Sequence, residues 1–275
     1  MPGKTIIITG ASDGIGASAA RQLHARGEHV VVVGRSPEKT KTVAAELGVD
    51  YLLADFSELQ QVRVLADELR NRYPRIDVLA NNAGGMLATG HPTVDGHENV
   101  LQVNYLAPFL LTTLLMEQLI ESRAAVISTS SASQSLIRNI TIDDLLHTER
   151  FRPTRAYAMS KIAITLFVRE LHHRYAASGV TGAAFHPGWV DSNFGPASSS
   201  RFIELFQATK IGRIIGKTPD EGCDQLVWLA RTEGGHDWQS GEYYVKRRIA
   251  KAHRLVANPA ETQALWDRTA ALLAS

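Results

Sequence analysis

Residues 5–16 read TIIITGASDGIG, an apolar run followed by a glycine-rich turn. The β-branched run Thr5–Thr9 has the composition of a buried strand, and the apolar spacing over Ile15–Arg26 predicts a helix that Gly27 ends. A strand, a glycine turn and a helix in this order begin a βαβ unit. The N-terminal part of the chain therefore predicts an α/β fold.

Short β-branched runs and helical patterns alternate along the rest of the chain, as in βαβ units on a parallel sheet. Further strands are predicted at Val30–Val33, Tyr51–Ala54, Ile76–Asn81, Ala124–Ser128, Val180–Phe185 and Glu242–Val245. Further helices are predicted at Pro37–Leu47, Glu98–Ile120 and Tyr157–Ala177, together with one that begins at Ser57 with Gln60 in a capping box. We expect one domain over residues 1–275, a doubly wound, mostly parallel sheet of seven strands flanked by helices.

The turn after the first strand is built around Gly10, Gly14 and Gly16. Backbone N–H groups and the positive end of a helix dipole meet there, which favours a pyrophosphate group. The spacing is G-x-x-x-G-x-G rather than G-x-G-x-x-G, so the turn is longer than in the standard dinucleotide fingerprint. Considered alone, the motif is also compatible with an ordinary glycine-rich βα turn.

Tyr157 and Lys161 stand four residues apart in YAMSK, on one face of a predicted helix. A free tyrosine has a pKa of about 10 and is a poor acid or base at neutral pH. A lysine charge beside it favours the phenolate. Carbonyl reduction at a nicotinamide adds one hydride and one proton, so this pair fits such chemistry once a dinucleotide cradle precedes it.

The composition excludes several classes of protein. A net charge of +1 with 21% charged residues creates no global field for nucleic acid or an anionic membrane. Cys223 is the only cysteine, so no intrachain disulfide forms. No apolar run reaches the roughly 18 residues of a membrane span, and the histidines show no metal-ligand spacing. We expect a cytoplasmic protein with no nucleic-acid partner, no membrane span and no metal.

Six motifs match, in order, those of the short-chain dehydrogenase/reductase family: TGASDGIG at 9–16, NNAG at 81–84, QVNYLAPF around Asn104, ISTSSAS around Ser131, YAMSK at 157–161 and Pro187–Gly188. The chain resembles this family over nearly its whole length. NITIDDLLHTERF at 139–151, TPDEG at 218–222 and SGEYY at 240–244 are similar to the retinol-dehydrogenase-like branch.

The resemblance implies a Rossmann fold and a catalytic set of four residues. Tyr157 would be the acid in reduction and the base in the reverse direction. Ser131 would hydrogen-bond the substrate oxygen, and Lys161 would lower the Tyr157 pKa and bind the nicotinamide ribose. Asn104 would lie in a distorted helix whose exposed carbonyl binds a water of the proton relay. Without the other motifs, Asn104 would be interpreted as an amide on the helix surface.

The resemblance also implies contacts with the cofactor along most of the chain. Asp55 would bind the adenine amino group, although a simple turn aspartate explains it as well. The implied contact residues are Gly10, Ser12, Asp13, Gly14, Ile15, Gly16, Arg35, Ser36, Asp55, Phe56, Asn82, Ala83, Gly84, Tyr157, Lys161, Pro187, Gly188, Val190 and Ser192.

The end of the second strand favours NADP(H), with NAD(H) possible. It reads VVVVGRS, with Gly34 where an NAD enzyme carries an acid for the ribose 2′-hydroxyl. Arg35 offers a planar, permanently charged fork suited to a phosphate, and Ser36 adds a hydroxyl. Asp13 argues the other way, because some NADP-using relatives carry a basic residue there. A solvated loop arginine is the alternative for Arg35.

Residues 193–217 form a candidate substrate lid. A glycine, a proline and three serines at 195–200 suggest a hinge, and the remainder is rich in Phe, Leu and Ile. As a lid, this segment predicts an apolar substrate; alternatively its apolar residues pack on the body of the fold or on a partner subunit. By resemblance, a homodimer or homotetramer is possible.

The sequence therefore predicts an NADP(H)-dependent oxidoreductase that interconverts a carbonyl and an alcohol on an apolar small molecule. A non-catalytic NADP-sensing regulator is the main alternative. A sugar-nucleotide epimerase is the other, but TGxxGxxG and a larger C-terminal domain are typical of that class.

Overall fold

In a computed structural model, residues 3–86, 91–146, 152–188 and 217–274 are described. They form one eight-stranded sheet in the order β3-β2-β1-β4-β5-β6-β7-β8. The strands are β1 (Thr5–Thr9), β2 (His29–Gly34), β3 (Tyr51–Leu53), β4 (Val78–Asn81), β5 (Ala125–Thr129), β6 (Thr181–His186), β7 (Glu242–Val245) and β8 (Arg248–Ile249). All neighbours pair in parallel except β7 and β8. The predicted Rossmann sheet is confirmed, with one strand more than expected.

The eighth strand has only two residues, and both are exposed. It follows a tight turn in which Lys246 and Arg247 adopt positive φ angles of 52° and 58°. Neither residue is of a type that usually marks such a turn. The sequence therefore carries no signal for β8.

The helices lie on both faces of the sheet. They are α1 (Gly14–His24), α2 (Pro37–Leu47), α3 (Leu59–Arg72), α4 (Asn99–Leu101), α5 (Ala107–Leu114), α6 (Met116–Glu121), α7 (Ile142–Leu146), α8 (Pro153–Tyr175), α9 (Pro219–Gly222), α10 (Asp224–Arg231) and α11 (Pro259–Ala274). Among the residues described, no helix combines the length and the apolar character needed to cross a membrane.

Two apolar cores explain why the middle of β1, Ile6 to Ile8, is an uninterrupted apolar run. Ile7 packs with α3, α5, α8 and α11 on one face of the sheet. Ile6 and Ile8 pack with α1, α2 and α10 on the other. Strands that are buried on both faces are continuous apolar runs rather than alternating ones. At about 25 cal/mol per Å² of apolar surface, this two-sided burial is the main stabilising contribution to the fold.

The strand order reverses between β1 and β4, the place where ligands bind in open α/β sheets. Both strands end at the same edge of the sheet, at Thr9 and Asn81. We call this edge, where the parallel strands β1 to β7 end, the carboxyl edge. The glycine turn and the segment after β4 therefore face each other across a crevice at this edge.

The predicted helix Glu98–Ile120 is wrong as a single element. A π-helical turn at Gln102–Leu106 separates α4 from α5, and the chain breaks again at Leu115, where ψ is 2°. Pro108 has no N–H, so the Asn104 carbonyl lacks its usual donor four residues on. The Ala107 N–H bonds to the Gln102 carbonyl instead.

The predicted capping box at Ser57 is also wrong. Helix α3 begins two residues later, and Ser57 donates both its N–H and its hydroxyl to Asp55 Oδ1, at 2.9 and 2.7 Å. The first N–H of α3, on Leu59, bonds to Asp95 Oδ2 at 2.9 Å. A carboxylate distant in sequence thus replaces the local cap.

Candidate active site

The glycine turn closes tightly over the start of α1. Gly10 has a φ of 66°, and a Cβ atom there would stand 2.7 Å from the Ala83 Cα atom. A Cβ atom on Gly16 would stand 2.3 Å from the Gly10 carbonyl oxygen. Larger side chains are therefore excluded at both positions, and the N-terminus of α1 lies where the strand order reverses. This cradle fits the diphosphate of a dinucleotide.

Asp13 forms an ion pair that the sequence did not reveal. Its Oδ1 atom accepts from the Gly14 N–H at 2.8 Å, and its Oδ2 atom lies 2.8 Å from Lys39 Nζ. Lys39 lies in the first turn of α2, which begins at Pro37. The negative charge that argued against a phosphate at this end of the site is thus paired with a cation.

Arg35 and Lys39 are the exposed cations at the end of β2. Gly34 packs on the glycine turn, because a Cβ atom there would stand 2.9 Å from Ser12 Cβ. Ser36 is the N-cap of α2, and its hydroxyl also donates to Glu38 at 3.2 Å. The Ser36 hydroxyl is therefore engaged within its own turn.

Side-chain hydrogen bonds join the ends of β1, β4 and β5. The Thr9 hydroxyl accepts from the N–H groups of Asn82 and Ala83, each at 3.0 Å. The Asn82 side chain donates to the Thr9 carbonyl at 3.0 Å and accepts from the Thr129 hydroxyl at 3.1 Å. These bonds hold the NNAG segment against the glycine turn, where its backbone lines the crevice.

The residues after β3 take partly structural roles. The carboxylate of Asp55 forms the turn with Ser57 described above, as its simpler interpretation expected. The Phe56 side chain is buried in the core, and its carbonyl accepts from Gln102 at 3.3 Å. Any contact between Phe56 and a cofactor therefore falls to its backbone.

Tyr157, Lys161 and Ser131 come together at the carboxyl edge. Lys161 is 3% exposed, donates from Nζ to the Thr129 carbonyl at 2.9 Å, and lies 5.4 Å from the centroid of the Tyr157 ring. Ser131 is hydrogen-bonded to the Tyr157 side chain. The site thus brings a phenol, a hydroxyl and a buried amine together in one place.

Burial dominates the titration of both groups. It lowers the pKa of Lys161 to about 7. It raises the pKa of Tyr157 to about 12, which the hydrogen bond with Ser131 partly offsets and nearby Tyr243 reinforces. In this structure desolvation therefore outweighs the lowering of the Tyr157 pKa that we expected from Lys161.

Asn104 is 2% exposed, so its interpretation as a surface amide is wrong. Its Oδ1 atom accepts from the Gly85 N–H at 2.8 Å, and its Nδ2 atom donates to the Gly85 carbonyl and to Ser160 Oγ, at 3.1 and 3.0 Å. The Ser160 hydroxyl donates to the Tyr157 carbonyl at 2.8 Å. Asn104 therefore links the segment after β4 to α8, the helix that carries Tyr157 and Lys161, from within the distorted turn that we expected.

We expect Asn104→Ala to lower the free energy of unfolding by about 2 kcal/mol or more, because it leaves buried polar groups on Gly85 unpaired. Urea denaturation measures this change. Asn139→Ala is the matched control, since Asn139 is exposed. Equal stabilities of the two variants would contradict the structural role of Asn104.

Pro187 and Gly188 follow β6 at the same edge as the other motifs. Val190 and Ser192 lie outside the described residues, as does the candidate lid except for Lys217. In the ranges that are described, no group of three or more His, Cys, Asp or Glu side chains could hold a metal ion.

Residues 4–201 match the family model described as short chain dehydrogenase. The chain belongs to the short-chain dehydrogenase family. Two curated members are similar over almost all of it. A Streptomyces sp. (strain C5) protein, provisionally named daunorubicin C-13 ketoreductase DnrU, is 38% identical over 98% of this chain and 93% of its own. Human retinol dehydrogenase 12 is 34% identical over 99% of this chain and 87% of its own.

Solved short-chain dehydrogenases share the fold. The Pseudomonas aeruginosa RhlG/NADP active-site complex has a TM-score of 0.68 and 26% sequence identity, covering 88% of this chain and 94% of that one. The family and the retinol-dehydrogenase-like resemblance are thereby confirmed. This short-chain dehydrogenase is an oxidoreductase whose fold carries a nicotinamide-cofactor site.

Three residues that the structure places at this candidate site, Lys39, Thr129 and Tyr243, were not identified by the motifs. Lys39 could have been found from the Ser-Pro start of α2, which places it on the first turn. Thr129 contributes a backbone carbonyl, a role for which the residue type gives no signal. Tyr243 is 4% exposed and reaches the site from β7, a strand distant in sequence from Tyr157.

Proposed function

We propose that this short-chain dehydrogenase uses NADP(H) to interconvert a carbonyl group and an alcohol on an apolar small molecule, with Tyr157 as the acid and base. The carbonyl compound is an aldehyde or a ketone. We also propose that residues 1–275 form a single domain. The observation that carries it is the assembly of Tyr157, Ser131 and Lys161 at the carboxyl edge that also holds the glycine cradle.

The roles of the residues follow from their positions. Bound NADPH would supply the hydride in the direction of reduction. Tyr157 would donate its phenolic proton to the forming alkoxide, and Ser131, already bonded to Tyr157, would hold the same oxygen. Lys161, when protonated, would favour the phenolate that remains. The Asn104 carbonyl, which lacks an N–H donor at Pro108, would accept a hydrogen bond from the water that returns the proton.

NADP(H) is favoured over NAD(H) by the charges at the end of β2. Gly34 leaves no carboxylate there to bind a ribose 2′-hydroxyl or to repel a phosphate. Arg35 and Lys39 are exposed cations, and because Lys39 is paired with Asp13 the three side chains together carry a single net positive charge. The RhlG complex with NADP supports the same preference.

We expect Arg35→Asp to raise the Kd for NADPH at least tenfold and to leave the Kd for NADH nearly unchanged, because only NADPH carries the 2′-phosphate. Lys39→Ala should act in the same direction, since it removes one cation and frees the Asp13 charge. Titration of nicotinamide fluorescence measures the Kd values for NADPH and NADH in the wild type and in both variants.

Lys41→Ala is the matched control, an exposed lysine two residues further along α2. An NADPH/NADH affinity ratio unchanged in both Arg35→Asp and Lys39→Ala would show that neither residue recognises the phosphate. The Tyr157 chemistry would be unaffected by that result.

The proposed substrate class rests on two observations. One relative is named as a ketoreductase and the other as a retinol dehydrogenase. These names describe carbonyl reduction and alcohol oxidation, the two directions of one reaction type. Glu204 is the only acidic residue in the sequence of the candidate lid. The lid is rich in apolar residues, namely Phe194, Phe202, Leu205, Phe206, Ile211, Ile214 and Ile215. A bulky apolar carbonyl compound fits both.

The decisive experiment is titration with NADPH and NADH, followed by a panel of apolar aldehydes and ketones. Turnover of a panel member with NADPH supports the proposal. Cofactor binding with no turnover of any compound would favour the non-catalytic NADP-sensing regulator. Turnover of a sugar nucleotide without net oxidation would favour the epimerase.

The proposal includes self-association into a homodimer or homotetramer, as is common in this family. Light scattering during gel filtration measures the mass directly. A mass equal to the 30.1 kDa chain at micromolar concentration would contradict it.

A further inference from the structure

Tyr243 brings a second phenol to the candidate active site from β7. It is 4% exposed and stands opposite Ala184 of β6, which stands opposite Ser128 of β5. The Tyr243 backbone is therefore two strand spacings, about 10 Å, from the strand that leads into Ser131. Its ring packs in the core on the α8 side of the sheet, and its hydroxyl interacts electrostatically with that of Tyr157. The two phenols thus belong to the same site.

The side chain of Gln134 orients the Tyr243 hydroxyl. Gln134 is 2% exposed and lies in the short 3₁₀ helix Ala132–Leu136, which Ser131 caps. Its Oε1 atom accepts from the His253 N–H at 3.1 Å, which fixes the orientation of the amide and leaves Nε2 for Tyr243. Burial raises the pKa of Tyr243 to about 12, and the amide of Gln134 partly offsets that rise. The amide N–H groups therefore face the Tyr243 oxygen.

Two kinds of hydrogen-bond donor meet at this place. The Gln134 Nε2 atom is buried and interacts with the Tyr243 hydroxyl, but among the residues that the structure describes it completes no hydrogen bond of normal geometry. A primary amide has two N–H donors, and a phenol has one O–H donor. Buried donors in proteins are nearly always paired, and an unpaired one calls for a functional explanation. Gln134 and Tyr243 therefore form a buried donor pair that an acceptor would complete.

The substrate oxygen that reacts already has its donors. A carbonyl oxygen carries two lone pairs. In the proposed function, Tyr157 and Ser131 donate to both of them. Ser131 Oγ itself accepts from the Ser133 N–H at 3.2 Å, so its proton remains available to donate. The donors of Gln134 and Tyr243 are therefore left for a different acceptor. That acceptor lies close to the first, because Gln134 belongs to the helix that Ser131 caps.

We propose that Gln134 and Tyr243 bind a second oxygen of the substrate, a carbonyl or hydroxyl oxygen on the carbon next to the one that reacts. This inference rests on the proposed function and specifies its substrate class. The substrate is then an otherwise apolar α-diketone or α-hydroxy ketone. Ser131 and Tyr157 hold the oxygen that becomes the alcohol, and the donor pair holds the other.

The test compares three probes that differ at one carbon: benzil, a diketone; benzoin, its hydroxy ketone; and deoxybenzoin, which has a methylene group there. We expect the wild type to prefer benzil and benzoin over deoxybenzoin in kcat/KM with NADPH. Tyr243→Phe should lower that preference about tenfold, the effect of losing one hydrogen bond, and Gln134→Leu should act in the same direction. Tyr244→Phe is the matched control and should retain the preference. The Tyr244 hydroxyl bonds to the Gln239 backbone, and its ring packs on the other face of the sheet.

The readout is the change in preference between wild type and variant, because a diketone is intrinsically more reactive than a monoketone. An equal fall for all three probes in Tyr243→Phe would overturn the inference and would assign Tyr243 to packing or to the positioning of Tyr157. An unchanged preference would overturn it as well, and so would a wild type that reduces monoketones but neither benzil nor benzoin. A wild type that reduces no carbonyl compound at all would instead overturn the proposed function. Thermal unfolding checks that the variants are folded.

Discussion

Tyr157→Phe will reduce turnover of a carbonyl substrate about a thousandfold or more while NADPH binds with nearly unchanged affinity. The substitution removes one oxygen, the one hydrogen-bonded to Ser131, and retains the ring beside Lys161. General acid–base catalysis by one positioned side chain contributes about 10²- to 10⁴-fold. Ser131 and Lys161 remain but have no phenolic proton to deliver. Steady-state kinetics give the turnover, and fluorescence titration gives the Kd for NADPH.

Tyr175→Phe is the matched control, because Tyr175 ends the same helix and packs near Trp266, away from the carboxyl edge. It should retain wild-type turnover. Activity above a few per cent in Tyr157→Phe would exclude Tyr157 as the proton donor. Loss of NADPH binding in that variant would mean that the phenol supports the cofactor site rather than the chemistry.

Lys161→Met will abolish turnover and yet stabilise the protein at neutral pH. The amine is 3% exposed, and its pKa falls from an ordinary 10.5 to about 7 on folding. At about 1.4 kcal/mol per pKa unit, this costs up to about 5 kcal/mol of folding free energy. Methionine avoids that cost but leaves the Thr129 carbonyl without its donor, at about 1–3 kcal/mol. A net gain of about 2 kcal/mol at pH 7 is expected.

The pH dependence of this gain tests its cause. Below pH 7 the lysine is charged in both the folded and the unfolded chain, so the wild type bears the full cost. Between pH 7 and 10.5 the folded chain sheds the proton first, and wild-type stability rises with pH. Lys161→Met lacks this rise, so the variant is more stable at pH 7 and less stable near pH 10.

Urea denaturation at several pH values measures the difference. Lys251→Met is the control for removing an exposed lysine, and its stability should follow that of the wild type at every pH. A stability difference between Lys161→Met and wild type that does not vary with pH would show that burial of the charge is not the cause.

Local composition was enough to predict most of the fold. Strands β1 and β7 and helix α2 have the predicted bounds. A run of β-branched or aromatic residues defines each strand, and a Ser-Pro start and a glycine stop define the helix. The motifs likewise identified Tyr157 and Lys161, since their spacing places both on one face of α8. These features depend on interactions between residues close in sequence.

Contacts between distant residues decided the rest. The cap of α3 comes from Asp95, and the partner of Asp13 is Lys39 on another helix. The pKa values of Tyr157 and Lys161 depend on how much protein surrounds them, which no spacing along the chain encodes. The sequence alone determined the type of fold and the chemistry available. Only the tertiary structure decided which charges are paired and which are buried, because pairing and desolvation arise where separate elements meet.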